Sequence, residues 1–229
     1  YTKLESIYYQ NKDKYVEIYN KRFTSESSYR LDFDIKGNEA FIFMDKEIVE
    51  KISNIYKHNI ELLKTKNEIP KIALEQYTNK CLIDEIKLTN QIEGVYSTRK
   101  EIQNILKSNN EDKKRFSSLI NKYKKLEESS IKISTCMDIR ELYDEILLME
   151  ISKENSKDIP DGTVFRQGPV FVTGRYGEII HEGITPEEKI IEIMTKLLDF
   201  MKNHNSNALI KIAVVHYMFG YVHPFYNGN

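Results

Sequence analysis

Cysteine is nearly absent from this sequence: Cys81 and Cys136 are the two in 229 residues. Neither lies in a CxxC pair or a Cys/His cluster, which excludes a disulfide scaffold and gives no zinc-site spacing. So little cysteine fits a reducing environment, and a cytoplasmic location is expected. An excess of one charge is also lacking. Lys and Arg number 34 against 35 acids, a net charge of −1, so there is no bulk electrostatic case for a nucleic-acid or anionic-membrane partner. No apolar run approaches a membrane span, and the N-terminus has no signal-peptide core. Internal repeats and low-complexity tracts are missing. The chain opens on Tyr1, not Met, and stops on HPFYNGN directly after an apolar segment. It is therefore expected to be incomplete at both ends.

What is present suits a globular protein with a real core: 40% hydrophobic and 30% charged residues. The length allows one large domain, or one domain with an appendage. A short helix is expected near Leu4–Tyr19. Residues 29–44 alternate apolar and polar around Gly37-Asn38, a hairpin signal. Asp45 reads as the N-cap of a helix with Ile48, Ile52, Ile55 and Leu62 at helical spacing. After Pro70 a second helix places Leu74, Tyr77, Cys81, Leu88 and Ile92 along one face and ends at Gly94. Thr98 and Glu101 form a capping-box pattern for a third. Further helices are expected near 112–127 and from Asp138 to about Met149.

The stretch TVFRQGPVFVTGRYGEIIHEG, residues 163–183, sets β-formers around glycines and reads as a hairpin with a protruding loop. Thr185, Pro186 and Glu188 mark a helix start as cap, N1 and N3, with Ile190, Ile191, Met194, Leu197, Leu198 and Met201 as its buried stripe. Residues 207–222 are apolar nearly all round, the pattern of a central buried helix. The fold class is thus mainly α with two small hairpins.

His223 follows that last helix, where a rigid element would hold it as a general base. Pro224 fixes a turn, Phe225 can plug the core, and Asn227-Gly228-Asn229 can gather backbone N–H groups toward an anion. A base beside an anion cradle points to phosphoryl or nucleotidyl transfer. A structural turn with a core histidine is the alternative. Thr89 and Glu93 lie four apart on one helix side, with Glu93 just before Gly94. An ordinary solvated glutamate is the plain reading there, and a strong cationic partner the other. His216 reads as a satisfied core histidine. Arg166 either contacts phosphate or makes a flap-anchoring salt bridge. The Tyr- and Lys-rich residues 1–28 are a solvated face or a partner surface.

The run NALIKIAVVHYMFGYVHPFYNGN, with TPEEKIIEIMTKLLDFM and FRQGPVFV upstream, resembles the Fic domain family. That family's signature reads HPFx(D/E)GN followed by (G/K)RxxR. Every specified position of the first part fits except Asn227, where the family has a metal-binding acid. The resemblance implies a Fic-type helical bundle with a β-hairpin flap. It divides the chain into an N-terminal extension (1–70), an inhibitory helix and its successor (71–110), and an incomplete Fic core (111–229). The implied activity is AMP transfer from ATP, with Mg2+, onto a Ser, Thr or Tyr hydroxyl of a target protein. His223 would be the base, Gly228 and Asn229 would line the phosphate site, and Asn227 would be a weak metal ligand. Gln167, Pro169, Val170 and Phe171 would clamp the target's backbone as an added strand; an inert surface hairpin is the alternative. TNQIEG (89–94) fits the family's inhibitory (S/T)xxxE(G/N) motif, so Glu93 would block productive ATP binding and Thr89 would help position its helix. The resemblance leaves two other roles open: removal of AMP with Glu93 positioning a water, or a non-catalytic regulatory module. Self-association is also expected. The 229-residue piece by itself is expected to transfer nothing.

Overall fold

The computed structural model describes residues 3–92, 97–107, 120 and 131–229. The chain divides into two compact units, Tyr1–Glu68 and Ile69–Asn229. The first holds α1 (Leu4–Gln10), α2 (Lys12–Phe23), β1 (Ser28–Ile35), β2 (Asn38–Phe43) and α3 (Lys46–Glu68). The single helix expected near Leu4–Tyr19 is two helices. Asn11 leaves helical backbone (φ −159°, ψ 107°), and its side chain caps α2 by accepting from Lys14 N. The hairpin forms where alternation placed it. Its turn sits one residue early: Ile35 pairs with Asn38, so Lys36 and Gly37 make the bend, both with positive φ. Tyr19 and Phe23 of α2 pack edge-on against Phe41 of β2. Asp45 caps α3 as expected, accepting from Ile48 N at 2.8 Å. No residue of α3 is buried.

The second unit holds α4 (Lys71–Ile92), α5 (Arg99–Lys107), α6 (Cys136–Tyr143), a π-helical turn (Asp144–Leu148), α7 (Met149–Glu154), a 3-10 turn (Ser156–Asp158), β3 (Phe171–Thr173), β4 (Ile179–Glu182), α8 (Glu187–Asn203) and α9 (Ala208–Val222). The expected helix near 112–127 lies outside the described residues, Ile120 excepted. The Thr98–Glu101 capping box caps α5. Ile86, Ile102, Ile105 and Ile120 form one small core, with Leu82, Ile83 and Leu106 packed on it. α4 therefore turns its Leu82–Ile86 side inward, not the face expected from Leu74, Tyr77, Cys81 and Leu88. Tyr77 is 66% exposed. The helix carries apolar residues on more than one side, and the isoleucines of α5 select which side is covered.

α6, α8 and α9 build the other core, from Cys136, Tyr143, Ile190, Met194, Leu197, Val214, Met218 and Phe225 among others. α6 begins two residues before the expected Asp138, because Thr135 is the cap and Asp138 completes its capping box as N3. α8 begins at Glu187, leaving Pro186 at the N-cap. Its buried stripe is rotated from the expected one: Ile193 and Phe200 are buried while Met201 is exposed. α9 departs most from expectation. It buries one face, Ile210, Val214, Met218 and Val222, while Ile212 is 64% and Tyr217 57% exposed. His216 is exposed as well, so it is not a core histidine. Apolar composition all round a helix does not by itself say how many sides are covered.

Candidate active site

α9 ends at Val222, and His223 follows as its C-cap in the left-handed region (φ 53°, ψ 63°). Its N–H still bonds Phe219 O at 2.9 Å. A non-glycine residue in this region costs about 1–2 kcal/mol and persists where its surroundings hold it. Those surroundings are built from the next residues. Pro224 and Phe225 are fully buried. Phe225 stacks on Tyr143 of α6 at 3.8 Å, and Phe165 meets its edge at 5.5 Å. Asn229 closes the loop on Phe225 with both ends of its amide: Oδ1 accepts from Phe225 N at 2.8 Å, and Nδ2 donates to Phe225 O at 2.9 Å. The Tyr143 hydroxyl donates to Asn227 O at 3.0 Å. Gly228 has φ +72°, and a Cβ there would lie 2.5 Å from Leu147 Cδ1 on the π-helical turn. The positive φ calls for glycine, while the leucine methyl can swing aside. Gly228 and Asn229 also form one rim of an apolar groove of about 350 Å3, lined by Leu142, Leu147, Met194, Leu198 and Phe219.

The flap grows out of this loop. Residues 161–170 form its N-terminal arm. The Tyr226 hydroxyl accepts from Gly168 N at 2.8 Å and donates to Asp161 Oδ1 at 2.9 Å; the same Asp161 oxygen accepts from Gln167 N. Glu187, buried at the start of α8, accepts from Thr163 N, Val164 N and Phe165 N. Arg166 is fully buried. It makes no salt bridge of the kind considered from sequence: its partners are the carbonyls of His223, Gly168, Ile184 and Val222. β3 and β4 then pair antiparallel beyond the root, with Phe171 opposite Glu182 and Val172 opposite His181. His181 donates a ring N–H to Tyr221 O at 2.6 Å, which ties β4 to the end of α9.

The electrostatics favour a neutral His223. Burial lowers its proton affinity, Arg166 and His181 lower it further, and a ring N–H bonded to the Gly220 carbonyl opposes them; the net shift is downward. Burial pushes the Tyr143 hydroxyl far up, so it stays a donor. Burial alone would raise the Glu187 carboxyl, but its three backbone donors outweigh that and hold it below the usual range. Two arginines pack on this region, and both are committed. Arg140 pairs with Asp144 and donates to Val164 O, and Arg166 is spent on carbonyls.

Of the residues singled out from sequence, His223, Asn227, Gly228 and Asn229 share this loop. Gln167, Pro169, Val170 and Phe171 lie on the adjoining flap. Only Phe171 of these four is in a paired strand; Val170 O accepts from Gly183 N one step before it. The Asn227 side chain is exposed, while that of Asn229 closes the loop. Thr89 lies exposed on the last turns of α4, and Glu93 lies outside the described residues. Tyr143, Asp161, Glu187 and Tyr226 were not singled out. Glu187 carried a signal, an acid in the first turn of a helix after a glycine-containing segment, but its long-range acceptors were not legible.

A family model described as the Fic/DOC family matches residues 135–229. Residues 135–229 are thus similar to a Fic/DOC domain. The crystal structure of a Fic family protein from Desulfovibrio desulfuricans G20 resembles the chain with a TM-score of 0.54 at 19% sequence identity, covering 82% of this chain and 55% of that one. The chain thus spans about half the length of that Fic protein, and at this identity the likeness is one of fold. No curated protein matches the chain. Among the described residues no helix is long and apolar enough to cross a membrane.

Proposed function

We propose that the Fic domain is a protein AMP transferase with His223 as its general base. The observation that carries this reading is the state of His223: half-buried, held in a left-handed turn at the end of a helix, and shifted toward the neutral form. A base must be unprotonated at working pH and fixed relative to the acceptor; the downward shift of His223 and its place in a turn at a helix end support this role. In the proposed reaction the imidazole takes the proton of a target Ser, Thr or Tyr hydroxyl. The oxygen forms a bond to the α-phosphorus of ATP, the α–β bridging bond breaks, and pyrophosphate leaves. Gly228 and Asn229 would offer backbone N–H groups to the phosphates, since the side chain of Asn229 is already used.

The flap suits the second substrate. A two-stranded hairpin leaves one edge of each strand unpaired, and an extended segment of the target can add there. Main-chain pairing at β3 would bring the target's backbone to the root where His223 sits.

Mg2+ fits less well. Among the described residues no three His, Cys, Asp or Glu side chains gather as a metal site, and Asn227 offers a neutral carbonyl oxygen where a hard cation prefers charge. This donor set supports weak metal binding, and with it the second reading, a regulatory Fic module that binds nucleotide poorly. The proposed autoinhibition rests on the TNQIEG motif: Glu93 would hinder productive ATP binding and Thr89 would help place its helix.

The test uses full-length protein with ATP labelled at the α-phosphate. The transferase reading expects label on the protein itself or on a target, loss of label in His223→Ala, and more label in Glu93→Gly. Label that survives His223→Ala rejects His223 as the base. Absence of ATP binding by calorimetry in both wild type and Glu93→Gly favours the regulatory reading.

A further inference from the structure

A fully buried guanidinium is uncommon, and its usual partner is a carboxylate. Arg166 instead points its planar fork at main-chain oxygens. Nε donates to His223 O at 2.8 Å, Nη2 to Ile184 O at 2.9 Å and Val222 O at 3.4 Å, and Nη1 to Gly168 O. The backbone N–H of Arg166 adds a bond to Pro224 O at 3.2 Å. Residue 166 thus takes three consecutive carbonyls of the catalytic loop, Val222, His223 and Pro224, and one from each root of the flap, Gly168 and Ile184. Val222 and His223 terminate α9, where the helix dipole favours a cation. The surroundings are shaped to the group: a Cβ on Gly183 would lie 2.4 Å from Nη2.

We propose that Arg166 is the positioning residue of His223, fixing the left-handed backbone of the base and both roots of the flap as one body. Five donors in a rigid plane can serve carbonyls in several directions at once; an ammonium on a flexible stem cannot. The base and the strand that presents the hydroxyl therefore keep a fixed relation when a target docks. The chemistry rests on the AMP-transfer reading, whereas the placement of His223 does not. The charged and titratable groups that face the imidazole are Arg166 from the flap arm and His181 from β4, with the Gly220 carbonyl from α9. The positive charge of Arg166 adds to burial in keeping the ring neutral.

The test compares Arg166→Met and Arg166→Lys in the full chain, using NMR of His223 and steady-state kinetics. In Arg166→Met the His223 Cα shift is expected to leave the left-handed range, and the imidazole titration midpoint to rise. The kcat should fall at least about tenfold with KM for ATP nearly unchanged, the pattern of a lost transition-state interaction. In Arg166→Lys the midpoint should stay low because the charge remains, while kcat stays depressed because the fork is gone. A folded Arg166→Met with wild-type Cα shift and midpoint overturns the proposal. If that variant does not fold, Arg166→Lys decides: wild-type kcat and Cα shift there overturn it. If the wild type transfers no AMP yet the NMR changes appear, the proposed reaction fails and the positioning role stands.

Discussion

The root and the tip of the flap are built on opposite terms. At the root, Arg166, Glu187 and Tyr226 are spent on main-chain groups of residues 163–168, 184 and 222–223, and Tyr226 also on the Asp161 carboxylate. At the tip, Phe171 is 46% exposed, and Val172, Ile179 and Ile180 are exposed with it. Arg166 and Glu187 at the root are buried and satisfied, and such groups are costly to strand. The tip spends apolar side chains on solvent and leaves strand edges open. The proposed transfer would need both terms, a base held still and a strand edge open to varied backbones, and the chain separates them within about twenty residues.

The largest break in this contrast should come at the root. Glu187→Leu leaves the N–H groups of Thr163, Val164 and Phe165 without their acceptor. A loss of about 3 kcal/mol is expected, read as a lowered midpoint in denaturant unfolding. Gly228→Ala should cost about 1–3 kcal/mol, because a Cβ meets Leu147 and the backbone stays left-handed. Tyr226→Phe removes the acceptor for Gly168 N and the donor to Asp161. It should cost about 1 kcal/mol and speed amide exchange at Gly168. Ile179→Ser at the tip should change stability by under about 0.5 kcal/mol while weakening capture of a target peptide, measured by titration. A large loss of stability there would erase the distinction between the two regions.

Acid sharpens the same contrast. The folded chain holds His223 below its ordinary value near 6.5, so the unfolded chain binds that proton first. Its contribution to stability is full above about 6.5 and declines as pH falls from there through the folded value. Glu187, also depressed, loses its contribution at lower pH, as its carboxyl protonates. Chemical denaturation at a series of pH values should show the first decline in wild type and its absence in His223→Ala.

Local signals in the sequence carried over well. Asp45, the Thr98–Glu101 box and the Gly37 turn depend on neighbours a few residues away, and each forms. HPFYNGN likewise placed His223 directly after a helix. What did not carry over depends on partners far along the chain. Periodicity pointed to the Leu74, Tyr77, Cys81 and Leu88 face of α4, whereas Ile102 and Ile105 of α5 cover its Leu82–Ile86 side. The all-round apolar α9 covers a single face. Arg166 looked like a phosphate ligand or half of a salt bridge, since nothing local shows that four carbonyls from three segments converge on it.

The central claim is that His223 is a neutral base for AMP transfer. The direct measurement is parallel incubation of full-length protein with ATP labelled at the α- or the γ-phosphate, with and without His223→Ala. The account predicts protein-bound label from the α-position alone, and none in the variant. Label from the γ-position, or α-label undiminished in His223→Ala, would contradict it.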